Sequence, residues 1–230
     1  MELEIPLENL SLEEKIEKVL IKVLVVDIGI KHLGLCLAFV DKEYIIDHIV
    51  DINLIDITIY THNNCKKEDC KLYHTKTAWD WLEHVFVEHP CFEQSDIILI
   101  ERQPITGITS VEQIIFGKYR HKAELINPCN VHRFLNIKHL NYEQRKEFCV
   151  NFGIKYLDEK QQEELKNYER MHDICDCIEM LVYWTNKKYT EKIKQDEIDR
   201  QHVVYKDVLE KIDSFRYKPR CINLKELYKL

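Results

Sequence analysis

A chain of 230 residues can bury one substantial core with room for a small appended module. With 45% hydrophobic and 32% charged residues it is neither a disordered tail nor a membrane protein, and no apolar run approaches the roughly 20 residues of a membrane span, so no membrane partner is expected. The formal net charge of −7 argues against a uniformly basic nucleic-acid binder, but not against one with separate acidic and basic faces, because glutamates crowd residues 2–18 whereas Lys118-Tyr119-Arg120-His121-Lys122 and Arg216, Lys218, Arg220, Lys225 and Lys229 are basic.

The acidic opening Met1-Glu2-Leu3-Glu4 lacks the basic stretch of a secretory leader. Nine cysteines, an odd number with many inside apolar patterns, argue against a disulfide framework. The expectation is a reducing compartment, cytoplasm or nucleus, with Cys36, Cys149, Cys175 and Cys177 acting as small core hydrophobes. Residues 10–20 read as a helix capped by Ser11, with Glu14 three positions on. Residues 22–28 read as a buried strand, 35–40 as a second and 44–52 as a third; Gly29 and Gly34 bracket the first turn, so the three form a meander. A polar stretch rich in His, Cys, Lys and Asn, 55–75, interrupts the pattern.

Helical periodicity resumes over 77–87, with Trp81, Leu82 and Val85 on one face and Pro90 beyond its end. The run 97–100 suits a central parallel strand. A helix over 111–119 and a short strand over 123–126 follow, the latter ended by Asn127-Pro128. Residues 141–152 and 160–168 read as helices, as does 173–187 with Ile174, Ile178, Leu181 and Val182, and the charged tail reads as helical to about residue 212. The expected architecture is α/β: a mixed sheet, a three-strand meander followed by parallel strands, with helices on both faces. The expected organisation is an N-terminal extension (1–21), a core domain (22–187) carrying the Cys/His-rich insertion, and a charged helical extension (188–230).

Asp27 closes the run Val23-Leu24-Val25-Val26, and Glu101 closes Ile97-Ile98-Leu99-Ile100. Asp173 and Asp176 open a helical pattern, roughly 60° apart around its axis, so both can face one site. Each has a bland reading alone. First-turn acids favour the helix dipole, and a strand-end acid can pair with a neighbour such as Arg102. An isolated carboxylate beside an apolar run is costly, whereas a group of them suits a hard divalent cation. Phosphodiester hydrolysis needs an in-line water and a stabilised leaving oxygen, which two cations about 3.5–4 Å apart can serve. Asp27 would bridge them, Glu101 would hold one, and Asp173 with Asp176 the other.

Val25-Val26-Asp27-Ile28-Gly29 with Leu33-Gly34-Leu35, Ile100-Glu101-Arg102-Gln103-Pro104, and His172-Asp173-Ile174-Cys175-Asp176-Cys177 resemble the three acidic motifs of RuvC-like Holliday junction resolvases. The resemblance covers about residues 22–187 and is nearest to the resolvases of poxviruses and other large cytoplasmic DNA viruses. It implies an RNase H-like fold and two Mg²⁺ ions, replaceable by Mn²⁺, on Asp27, Glu101, Asp173 and Asp176. It further implies cleavage of four-way DNA junctions to 5′-phosphate and 3′-hydroxyl ends, by a homodimer that nicks two opposed strands symmetrically, without a nucleotide cofactor and at a cytoplasmic viral replication site or in the nucleus.

His62, Cys65, Cys70 and His74 read H-x2-C-x4-C-x3-H, a donor set that suits tetrahedral Zn²⁺ in a structural role; the bland reading is exposed reduced cysteines beside incidental histidines. Candidate DNA contacts are Lys31 in the first turn, Gln103, Thr106, Thr109 and Ser110 after the second acidic strand, and Lys118, Arg120 and Lys122 around Tyr119, where cations and an aromatic ring could neutralise phosphates and stack on bases. Solvated turns and helix ends explain these cations as well. Arg145 and Lys146 read as a solvated helix face, and His172 as a cap or a residue orienting water. Val111, Ile114 and Ile115 offer a candidate apolar face for a dimer.

The same acids would serve a nuclease acting on RNA, RNA–DNA hybrids or flaps. An actin-like ATPase or sugar kinase opens with a similar hairpin but needs a second glycine-rich phosphate loop, which a chain with five glycines and no second D-x-G lacks. A third class is a DNA-structure-binding module without catalysis, against which the retention of all four acids argues.

Overall fold

The structure, a computed structural model, describes residues 19–60, 70–75, 77–105 and 109–216, with side chains to residue 207. The expected helix over 10–20 therefore lies almost wholly outside the described residues. The chain divides into two compact units between Thr185 and Asn186.

The first unit is built on a five-stranded sheet of order β3-β2-β1-β4-β5. Strands β1 (Leu20–Ile28), β2 (His32–Asp41) and β3 (Ile46–Asp56) form the antiparallel meander. Strands β4 (Ile97–Glu101) and β5 (Ala123–Ile126) run parallel to β1. This is the mixed sheet of an RNase H-like fold, with helices α1 (Ala78–Glu88), α2 (Cys91–Gln94), α3 (Thr109–Lys118), α4 (Pro128–Phe134), α5 (Tyr142–Gly153), α6 (Glu159–Leu165) and α7 (Met171–Arg216).

Strand alternation divides the core into two layers. Leu24, Val26 and Ile28 of β1 face one way and pack with Ile98, Ile100, Leu82, Val85, Phe92, Val111 and Ile115, the layer under α1 to α3. Val23 and Val25 face the other way, with Leu99, Cys36 and Ala38, and pack against Ile174, Cys175, Cys177, Ile178, Leu181 and Trp184 of α7. By that alternation Asp27 and Glu101 belong to the α7 side of the sheet. Val111 and Ile115 are thus core residues of the α3 layer rather than a free dimer face.

Short polar signals set the helix starts. Thr77 accepts from Asp80 N at α1, and Asn127 precedes a proline at α4. Asn141 with Gln144 and Asp158 with Gln161 form capping boxes at α5 and α6. The third strand is displaced from the expected 44–52, because Tyr44 sits at φ 61° in the β2–β3 turn and the edge strand then continues through Asp51 and Asn53 to Asp56. Helices α2 and α4, four and seven residues long, are too short to show a helical period and were not expected. One helix, α7, replaces the two helical segments read at the C-terminus.

The described part of the second unit, Asn186 to Arg216, is helical and laced by local polar pairs, among them Lys187–Glu191, Gln195–Asp199 and Arg200–Glu197. Among the described residues no helix is long and apolar enough to cross a membrane.

Candidate active site

Asp27 and Glu101 stand at the C-terminal ends of neighbouring parallel strands, Val26 opposite Ile100 in register, and both lie on the α7 side. The first two turns of α7 bring Asp173 and Asp176 over this sheet end. Gly34 makes the approach possible. It pairs with Asp27 across β1–β2, and a Cβ there would sit 2.3 Å from the Asp173 carbonyl oxygen. Gly153 similarly lets α5 touch α7, where a Cβ would meet the Cys175 sulfur at 2.8 Å.

The four acids line one cleft of about 220 Å³, together with Glu179, His132, Arg145, Lys146, Arg170 and His172. Carboxylate oxygens of Asp27, Asp173 and Asp176 all lie within 4.8 Å of one another. Glu101 shares a hydrogen bond with Asp27 and accepts another from the Gln103 amide at 2.6 Å. The same amide donates to the Ile28 carbonyl at 3.2 Å, so Gln103 ties the ends of β1 and β4 and aims Glu101. Asp173 is gripped by Arg170 through two bonds, Nε at 2.6 Å and an Nη at 3.0 Å, and His172 Nε2 lies 3.1 Å away. Asp176 accepts from the Cys149 thiol at 3.1 Å.

Crowded buried carboxylates cannot all stay ionised. Burial, then the neighbouring Glu101, pushes Asp27 well above the usual carboxylate range. Glu101 is raised by burial, although its hydrogen bonds with Asp27 and Gln103 oppose the rise. Burial brings Asp176 up to about 6, and burial with the nearby Asp176 brings Glu179 up to about 8. Burial lowers His172. A bound cation would offset the repulsion and burial that raise these groups, and the all-oxygen donor set suits a hard ion such as Mg²⁺ or Mn²⁺. One oxygen of buried Glu179 has no hydrogen-bond partner among the described residues, a further unused donor facing the same cleft.

The other candidates scatter. Lys31 is exposed and lines an adjacent groove with Gly29, Ile30, His32 and Arg170, close to the acids. Arg145 and Lys146, read as a solvated face, belong to the cleft itself. Gln103 contacts a catalytic candidate rather than presenting its amide outward. Lys118 ends α3, and Arg120 and Lys122 lie in the turn before β5, at the end of the sheet opposite the acids, since Ile98 N bonds to the Lys122 carbonyl. There Lys122 donates to the carbonyls of Glu93 and Ser95 at 2.8 Å, and Lys118 pairs with Glu93 at 3.7 Å. Tyr119 is buried with its hydroxyl on Glu93, so it cannot stack on a base. Thr106, His62 and Cys65 lie outside the described residues. Cys70 and His74 are far in sequence from the acids and absent from their cleft.

Sequence reasoning missed Glu179, Arg170 and the roles of Arg145 and Lys146. For Glu179 a signal existed: it follows Asp176 by three, extending D-x-x-D to D-x-x-D-x-x-E along one helix face.

Comparison with solved structures decides the fold. The fowlpox virus resolvase, in a complex with its substrate Holliday junction DNA, superposes with a TM-score of 0.52 at 19% identity, covering 73% of this chain and 98% of that one. The yeast mitochondrial Holliday junction resolvase superposes with a TM-score of 0.53 at 18% identity, covering 76% and 86%. The chain has the fold of the Holliday junction resolvases. No family model matches the sequence, and no curated protein matches it.

Proposed function

We propose that the chain is a metal-dependent endonuclease that resolves four-way DNA junctions. The observation that carries this reading is the convergence of Asp27, Glu101, Asp173 and Asp176 in one cleft at a sheet end, on a fold shared with a resolvase whose structure includes its junction substrate. Two Mg²⁺ ions, with Mn²⁺ able to replace them, would sit on these four residues and supply an activated water and charge neutralisation at the leaving oxygen.

The chain's own groups do the rest. Asp27, central among the acids, holds the cluster together, and Gln103 keeps Glu101 turned toward it. Arg170 neutralises Asp173 and, with Lys31 across the adjacent groove, offers cations to a phosphate entering the cleft. Arg145 and Lys146 add positive charge to the lining of the cleft itself. Phosphate contacts of this kind fix position without reading bases, as recognition of a junction by shape requires. A homodimer with two such clefts would nick opposed strands symmetrically.

The test is cleavage of a labelled four-way junction beside a matched duplex and an RNA–DNA hybrid, with Mg²⁺, with EDTA, and with Asp27→Asn. Paired cuts in the junction alone, lost with EDTA and in the variant, are expected. Cleavage of the hybrid alone would keep the site and move the substrate to RNA. Binding without cutting in every lane would refute catalysis.

A further inference from the structure

A second cluster of metal-ligand type lies on α1, apart from the carboxylate cleft. Cys70, His74 and His84 offer one donor atom each, all within 4.8 Å of one another. Cys70 Sγ lies 3.5 Å from His84 Nε2, and His84 Nε2 lies 3.2 Å from His74 Nε2. A tetrahedral zinc with Zn–N near 2.05 Å and Zn–S near 2.3 Å separates its nitrogens by about 3.3 Å and a nitrogen from a sulfur by about 3.5 Å. The observed spacings are those of ligands around such an ion.

The protonation of His84 points the same way. Its Nδ1 lies 2.7 Å from the Asp80 carbonyl oxygen, which can only accept, so Nδ1 carries the proton. In the neutral ring Nε2 then presents a single lone pair to both the His74 ring nitrogen and the Cys70 sulfur. A hydrogen-bonded core histidine would need one partner there, whereas a cation collects all three. A ring nitrogen bonded to a backbone carbonyl is also how proteins orient a histidine that ligates metal through its other nitrogen.

The surroundings are built and buried. His84 is 2% exposed, and the Tyr60 ring stacks on it at 5.1 Å. The Tyr60 hydroxyl donates to Glu88 at 2.7 Å. The Asp80 carboxylate accepts from the Thr75 backbone at 3.0 Å and from its hydroxyl, fastening the segment that carries Cys70 and His74 to the first turn of α1.

We propose that Cys70, His74 and His84 bind a structural zinc ion that fastens this segment to α1. A thiolate with two imidazoles selects Zn²⁺ over the hard ions suited to the carboxylate cleft. The fourth vertex goes to water or a further donor. His84, fourteen residues after Cys70, joins Cys70 and His74 of the H-x2-C-x4-C-x3-H run, whose His62 and Cys65 lie outside the described residues. The inference does not depend on the nuclease reading.

The experiment uses the full chain, expressed with zinc, dialysed against Mg²⁺ and assayed by elemental analysis; about one zinc per chain is expected for this single site. Reconstitution of metal-stripped protein with Co²⁺ should show intense visible bands of tetrahedral cobalt and a thiolate-to-cobalt charge-transfer band. His84→Gln should lose the zinc, Cys70→Ser should abolish the charge-transfer band, and Asp176→Asn should change neither. The cobalt spectrum of the unmutated chain serves even if a variant fails to fold. Wild-type protein without zinc and without the charge-transfer band would overturn the proposal, as would zinc retained at wild-type level in folded His84→Gln.

Discussion

Gly34→Ala is the sharpest perturbation of the carboxylate cleft that leaves every carboxylate in place. The added methyl would sit 2.3 Å from the Asp173 carbonyl oxygen and 2.7 Å from its carbonyl carbon. A carbon approaches a carbonyl oxygen no closer than about 3.3 Å in ordinary contacts, so the first turn of α7 must retreat by about 1 Å. Both partners are backbone, on a central strand and on the helix that fills one core layer, and neither can swing aside like a side chain. Overpacking of this kind costs about 1–3 kcal/mol, which for a chain of this size lowers Tm by about 2–12 °C. The functional cost should be larger, because a displacement of about 1 Å at a reacting centre can lower a rate about 100-fold. The assay is junction cleavage under saturating Mg²⁺ beside thermal unfolding of the metal-free protein, with Gly117→Ala as control, since nothing lies within 4 Å of a Cβ there. Gly34→Ala with wild-type cleavage and an unshifted Tm would refute the view that this contact positions Asp173 and Asp176.

Glu179 gives a prediction with a definite sign. Its carboxyl is held up to about 8 by burial and by Asp176, whereas in the unfolded chain it titrates near about 4.3. Between those values the folded state binds the extra proton, so stability falls as pH rises, and the penalty persists above about 8. Glu179→Gln should therefore leave the metal-free protein unchanged near pH 4 and stabilise it at pH 8 by roughly 4–5 kcal/mol; an equal Tm difference at both pH values would contradict this. Gln103→Ala separates aiming from DNA contact: if the amide orients Glu101, the cleavage rate should fall roughly 10-fold or more while junction affinity, read by gel shift with Ca²⁺ replacing Mg²⁺, changes little. Loss of affinity with an unchanged rate would return Gln103 to the DNA-binding role read from sequence.

The fold and the acids were legible because both follow from strand alternation and the cost of buried charge. Val23, Val25 and Asp27 share one face of β1, Ile97, Leu99 and Glu101 share one face of β4, and an acid ending such a run has no apolar reason to be there. What stayed hidden was decided by contacts between distant segments. Arg145 and Lys146 look like any solvated pair until α5 is packed beside α7. His84 looks like a polar helix position until the segment from Cys70 to Thr75 folds back onto α1. Glu179 continues the spacing of Asp173 and Asp176, but spacing alone does not say how far along α7 the cleft extends.

The basic turn at Lys118 to Lys122 is the instructive case, because topology alone excludes it from the acids. Two parallel strands joined by a helix must run the same way, so a turn that enters β5 lies beside the start of β4, whereas Glu101 marks the end of β4. Composition made the turn attractive as a DNA contact, yet its lysines are bound to carbonyls of the α2 turn and to Glu93. The cations that do lie near the acids, and that the proposed function would use, are Lys31 in the β1–β2 turn, Arg170 just before α7, and Arg145 and Lys146 on α5. The chain has a net charge of −7 and still gathers Lys31, Arg145, Lys146 and Arg170 near the acids, so overall charge does not argue against the proposed phosphate binding there.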